Sequence, residues 1–174
     1  MKTLFEIDLK DYDEKAPRVE RPSVRGIILK DGKIALVHSL KYDYYKFPGG
    51  GCKKDENHIE TLVREVKEET GLVVNPNTIE EFGMVHRIQK GDFGDTFVQD
   101  NFYYMCQVED EIQNQQLDDY EDEENFILEF ITIDEAIAVN ENHHHGSKEE
   151  DMFYKVMIER ESRVLALVKD WVKG

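Results

Sequence analysis

Between Asn57 and Gly71 the sequence specifies a helix and marks both of its ends. Asn57 suits the N-cap, and Glu60 follows three residues later, the pattern of a capping box. Gly71 suits the left-handed position just past a C-terminus. Ile59, Leu62, Val63 and Val66 recur at helical spacing and make one buried stripe. At about 100° per residue, Glu65, Glu68 and Glu69 gather on the opposite side. Like charges so placed cost a few tenths of a kcal/mol per pair. Glu68 and Glu69 also lie at the negative end of the helix dipole. A sequence chosen for stability alone would place lysine there. The helix by itself leaves two readings open: a solvated acidic face, or a site for hard divalent cations, which prefer oxygen ligands.

Charge narrows the partners. The chain has 174 residues, enough for one domain with its own core. Its 22 Lys+Arg against 38 Asp+Glu give a net charge of −16. Such a chain is repelled by a nucleic-acid polymer and by an anionic membrane. A small phosphorylated ligand stays compatible, because bound cations invert the local charge. Cys52 and Cys106 are the only cysteines, which excludes a disulfide framework and a cysteine zinc site. Met1 to Lys10 is too charged for a signal peptide. No apolar run approaches the ~20 residues of a membrane span. The expectation is a soluble, cytoplasmic protein.

The rest of the chain reads as mixed elements. Asp11 to Pro22 reads as a loop. Val24–Leu29 and Ile34–Val37 flank Asp31-Gly32, the pattern of a β-hairpin. Strands are expected at Ile79–Ile88, Phe97–Val108 and Phe126–Ile133, with an acidic loop over Glu109–Asn125. Asp134 is expected to cap a short helix, Glu135–Val139, and a last helix runs from Lys148 to Val172. Strands and helices do not alternate regularly, so the expected fold is a mixed sheet flanked by helices.

The residues ahead of the acidic helix extend its pattern. Gly49-Gly50-Gly51 lets the backbone turn sharply and approach a ligand closely. From Gly50, five residues lead to Glu56, and seven more to Arg64-Glu65-Val66-Lys67-Glu68-Glu69-Thr70-Gly71-Leu72. This string resembles the Nudix box, G-x5-E-x7-R-E-U-x-E-E-x-G-U with U aliphatic, at every fixed position. Phe47-Pro48-Gly49-Gly50 is similar to the usual lead-in. The resemblance to the MutT-like Nudix hydrolases covers roughly Val24 to Val172. It makes residues 1–22 an N-terminal extension and residues 23–174 the domain.

The resemblance implies a Nudix-fold α/β/α sandwich with a mixed β-sheet. It implies hydrolysis of a phosphoanhydride bond in a nucleoside diphosphate linked to another moiety, with Mg²⁺ or Mn²⁺ as cofactor. Carried onto this chain, Glu65, Glu68 and Glu69 are metal ligands, joined by a backbone carbonyl at Gly50 or Gly49. Glu56 holds the loop–helix junction with an outer contact to metal. Arg64 orients the carboxylates by charge-assisted hydrogen bonds. The general base is Glu68 or Glu69, or a later acid among Glu121, Glu123 and Glu124, with Glu124 taken as the candidate. Substrates of such enzymes include nucleoside triphosphates, nucleoside diphosphate sugars and dinucleoside polyphosphates. The partner is then a small-molecule nucleotide or other diphosphate, and many relatives are homodimers.

Two rival readings share the fold. A non-catalytic domain that senses a nucleotide or binds a partner typically loses box glutamates, and this chain keeps all four. An isomerase of isoprenoid diphosphates needs a suitably placed catalytic cysteine, which Cys52 is not obviously. Among other residues, Tyr42, Tyr44 and Tyr45 are expected to cover the core edge. Arg25 and His86 are expected to border the pocket, with His86 structural. His143-His144-His145 is expected in a flexible loop. Gly91, Phe93 and Gly94 are expected in a loop over the substrate.

Overall fold

The computed structural model describes every residue except His143. Alternation along the strands sets its layers. On β5 (Lys33–Ser39) Ile34 and Leu36 enter one apolar core, while Ala35 between them enters another. Successive side chains of a strand point to opposite faces, so the strands form the middle layer. One face is covered by α1 (His58–Thr70), whose Leu62 and Val66 are fully buried with Val24 and Ala35. The other is covered by α3 (Ile133–Asn142) and α4 (Met152–Lys173), which bring Ala136, Val164, Leu165 and Val168. This is the α/β/α sandwich expected. Burying each such aliphatic side chain is worth ~1.5–3 kcal/mol.

One sheet is mixed. Its centre is the long antiparallel pair β8 (Glu80–Lys90) and β9 (Thr96–Met105), in register from Glu80↔Met105 to Lys90↔Thr96 with an irregularity between Glu81 and Gly83. Parallel to β9 run β2 (Arg18–Glu20) and β3 (Ser23–Ile27). Parallel to β8 runs β1 (Thr3–Asp8). Residues 1–22, expected ahead of the domain, therefore add two strands to its sheet. The second sheet is antiparallel. In it β5 pairs with β4 (Leu29–Lys30), β6 (Tyr44–Lys46) and β11 (Phe126–Ile131).

The hairpin expected around Asp31-Gly32 is present but shorter. Asp31 (φ 52°) and Gly32 (φ 75°) make the turn, as a primed hairpin turn requires. Only Leu29 and Lys30 pair with β5, whereas Ser23–Ile27 leave for β9. The apolar run Val24–Leu29 thus serves two sheets, changing partner at Ile28. The acidic loop at 109–125 also holds structure: β10 (Val108–Ile112) pairs with β7 (Leu72–Val74), and α2 (Asp119–Glu123) follows. The cap of α3 is Thr132 rather than Asp134. Its Oγ1 accepts from the Glu135 N–H at 3.3 Å, and Glu135 Oε2 accepts the Thr132 N–H at 3.2 Å. Helix α4 starts at Met152, capped by Asp151, so Lys148 lies outside it in a 3₁₀ turn. Among the described residues no helix is long and apolar enough to cross a membrane.

Candidate active site

Both ends of α1 are as the sequence specifies. Asn57 accepts the Glu60 N–H and Glu60 returns a bond to the Asn57 N–H, each at 2.9 Å. Gly71 closes the helix at φ 75° with its N–H on the Lys67 carbonyl. The turn before the helix is pinned from three sides. Gly26 donates to the Pro48 carbonyl at 2.8 Å and Val24 to the Gly50 carbonyl at 2.9 Å. The Phe47 N–H donates to Glu161 on α4 at 2.6 Å. Glu161 is itself fully buried and held by Arg160 at 2.7 Å and by the Tyr103 hydroxyl at 3.1 Å.

Gly50 then meets the helix at contact distance. A Cβ there would overlap the Glu65 carboxylate, which would have to move aside. Beside it Arg64 gathers three acids. Nε and Nη2 donate to Glu56 at 2.6 and 2.7 Å, and Nη1 donates to Glu65 at 2.6 Å and to Glu68 at 2.9 Å. The Arg64 hydrogen bonds pull the Glu56 carboxyl down to about 2. Burial pushes Glu65 above the usual carboxylate range, although Arg64 opposes it.

Glu69 does not join that group. It is 1% exposed, and both its oxygens are engaged: Oε1 by Lys46 Nζ at 2.6 Å, Oε2 by the Gly49 N–H at 2.8 Å. Lys46, a buried cation on β6, was not singled out in the sequence. Its signal was a lone charge between Tyr44-Tyr45 and Phe47.

The acids in and just after α2 separate equally clearly. Glu123 is exposed and pairs with Lys41. Glu124 is buried and turned to the Tyr44 hydroxyl (2.7 Å) and Ser39 (3.1 Å). Glu121 lies against the box, where burial and then the charge of Glu69 push its carboxyl up to about 7. The structure thus brings Gly50, Glu56, Arg64, Glu65 and Glu68 together. Glu69 sits behind them, and Glu124 lines the neighbouring cavity. Among the described residues no three His, Cys, Asp or Glu side chains stand in a metal-ligand arrangement.

A cavity of ≈ 400 Å³ opens next to the glycine turn, lined in part by Arg25, Arg87, Glu124 and Lys148. Arg25 reaches it as expected, with Nη1 on the Gly49 carbonyl. His86 pairs with Asp100 at 2.7 Å. Tyr44 and Tyr45 are buried in the core edge. Burial raises the Cys52 thiol, against a catalytic thiolate. His145 is buried rather than loose, with its ring nitrogens 3.0 Å from the Tyr42 carbonyl and 3.2 Å from that of Asn140. His144 is exposed, and His143 lies outside the described residues. Phe93, at the β8–β9 turn, is 97% exposed.

This loop–helix unit, in this sandwich, defines a class. Residues 19–151 match the model of the NUDIX domain, and the chain belongs to that family. Over 65 residues it is 40% identical to proteins named RNA pyrophosphohydrolase from Xanthomonas campestris and Stenotrophomonas maltophilia. The match takes 36% of this chain and spans only 30% of the length of those relatives. A NUDIX hydrolase from Nitrosomonas europaea has a similar fold, with TM-score 0.56 and 23% identity over 81% of this chain and 87% of that one. A MutT NUDIX hydrolase from Burkholderia pseudomallei gives TM-score 0.50 and 20% identity over 67% and 85%.

Proposed function

We propose that this chain is a metal-dependent pyrophosphohydrolase that cleaves a phosphoanhydride bond in a nucleoside diphosphate linked to another moiety. The observation that carries this reading is the convergence of Glu56, Glu65 and Glu68 on Arg64, with the Gly50 backbone directly against the Glu65 carboxylate. The donors on offer are all oxygen, the set that hard divalent cations prefer. Mg²⁺ or Mn²⁺ on this face would neutralise the diphosphate, polarise a phosphoryl oxygen and supply a water of lowered pKa.

Glu65 and Glu68 are the proposed ligands, with the Gly50 carbonyl and Glu69 completing the set through their remaining acceptor directions. Arg64 can release Glu65 and Glu68 from Nη1 while Nε and Nη2 keep Glu56, which is how Glu56 holds the junction. A carboxylate takes the proton of the attacking water. Glu68 and Glu69 are the candidates in the box. In and just after α2 the candidates are Glu121 and Glu124: Glu121 lies against Glu69 and accepts the Asp118 N–H at 2.8 Å and the Tyr120 hydroxyl at 3.1 Å. Glu124 accepts from Tyr44 and Ser39 on Oε2, which leaves Oε1 with only the Lys148 contact at 3.7 Å.

The partner is read as a small-molecule nucleotide or other diphosphate, because a net charge of −16 opposes a polymer backbone. The name of the RNA pyrophosphohydrolase relatives supports the bond class. The test is a diphosphate library with product identification, run with Mg²⁺, with Mn²⁺ and in excess chelator, and including a 5′-triphosphorylated RNA. Hydrolysis of small diphosphates that stops in chelator is the expected result. Full turnover in chelator would sink the metal assignment, and turnover of the RNA alone would sink the partner assignment.

A further inference from the structure

The cavity beside the glycine turn gathers cations in a chain rich in acids. Arg87 on β8 is 4% exposed there. Its guanidinium carbon lies 5.4 Å from the Phe97 ring centre and 5.0 Å from that of Phe153. Nε donates to the Gln89 side-chain carbonyl at 2.8 Å and Nη2 to the Phe153 carbonyl at 3.1 Å. Both acceptors are neutral, and among the described residues no carboxylate is bonded to it. Burial, and next the like charge of Arg160, pull Arg87 down to about 9. Arg160 is balanced by Glu161, whereas the Arg25 Nε is buried with no acceptor.

The acids in the same wall are already engaged. Asp151 accepts the N–H groups of Phe153 and Tyr154 at the start of α4, and Glu124 is held by Tyr44 and Ser39. Lys148 Nζ makes long ion pairs with both, at 3.7 Å. Arg87 has the charge of Asp151 nearby but no carboxylate bonded to it, and the like charges of Arg160 and Arg25 outnumber it. A buried cation so poorly matched is costly, so this arrangement favours an anion. Arginine forks match phosphate geometry in particular. One residue joins the two regions: the Gly49 carbonyl accepts from Arg25, and the Gly49 N–H donates to Glu69.

We propose that this pocket holds a phosphate of the substrate beyond the two that flank the scissile bond, with Arg87 as its specificity-determining residue. The inference rests on the hydrolase reading and narrows its substrate class. The substrate carries a third phosphate, in a polyphosphate chain or as a phosphomonoester on the linked moiety. A nucleoside diphosphate joined to a neutral sugar leaves Arg87 unmatched.

The test compares four substrates at saturating Mg²⁺: a nucleoside triphosphate, a dinucleoside tetraphosphate, a nucleoside diphosphate sugar, and the same sugar carrying a phosphomonoester. The wild type should favour a third-phosphate substrate over the neutral sugar by at least ~10-fold in kcat/KM, the scale of one recognised group. Arg87→Gln should remove that preference, with the neutral sugar changed less than ~3-fold. Lys148→Gln should cause a smaller loss of the same selectivity, and it decides the matter if circular dichroism finds Arg87→Gln unfolded. The phosphorylated substrate that suffers most identifies the source of the phosphate. Equal losses on all four substrates, no loss on any, or a wild-type preference for the neutral sugar would overturn the proposal. A wild type inactive on all four would remove the hydrolase reading and this inference with it.

Discussion

Glu68 and Glu69 are neighbours in sequence on one helix face, yet they live in different environments. Glu68 is a third exposed and shares Arg64 with Glu65. Glu69 is buried and locked to Lys46 and the Gly49 amide. The difference separates two roles that a single acidic face hides. Ions held at the surface by one shared guanidinium can exchange partners. A buried pair cannot lose one member cheaply, because the remaining charge stays desolvated. The same helix therefore offers an exchangeable half and a half that fastens the glycine turn to the sheet.

The comparison is broken most sharply at Lys46. Lys46→Met should destabilise the protein by ~3–5 kcal/mol, since Glu69 is left buried without its cation. Urea denaturation measures it, and a cost below ~1 kcal/mol would mean that the pair is not structural. Glu68→Gln tests the other half. It should leave stability within ~0.5 kcal/mol while lowering kcat by at least ~10²-fold. Near-normal turnover with the best substrate would remove Glu68 from the chemistry.

Glu121 refines the picture where the two halves meet α2, with the smallest effect. Its carboxyl is raised in the fold from 4.5 to about 7, so the folded protein holds a proton that the unfolded chain has released. The contribution of this group is therefore fully present below about pH 4.5 and lost as pH rises through about 7. Wild-type stability should fall across that window through this group, and Glu121→Gln should flatten the fall. Identical pH profiles for the two proteins, measured by thermal denaturation, would show that Glu121 keeps an ordinary pKa.

What the sequence revealed follows from distance along the chain. Arg64 and Glu56 are eight residues apart, so loop and helix geometry joins them, and their meeting is legible from spacing. Both caps of α1 are legible for the same reason. Lys46 and Glu69 are 23 residues apart, and Phe47 and Glu161 are 114 apart. No local pattern links them. Glu161 lies in the run Glu159-Arg160-Glu161, which has the composition of a solvated helix face. The split of Val24–Leu29 between two sheets was hidden because both halves have the same β-forming character. Helix α2 was hidden because five acid-rich residues are too short for a periodic signal.

The parallel pairing of β1 with β8 has a consequence for biosynthesis. Thr3 lies opposite Met84 and Asp8 opposite Ile88, so β1 leaves the ribosome long before the partner it pairs with. At ~5–20 residues per second that interval is on the order of ten seconds. Leu4, Phe5 and Ile7 stay exposed through it, and after it they cover an edge of β8. A nascent chain stalled before residue 80 would present those apolar residues to chaperones. Deleting them would leave β8 with the unpaired backbone edge through which sheets join between molecules.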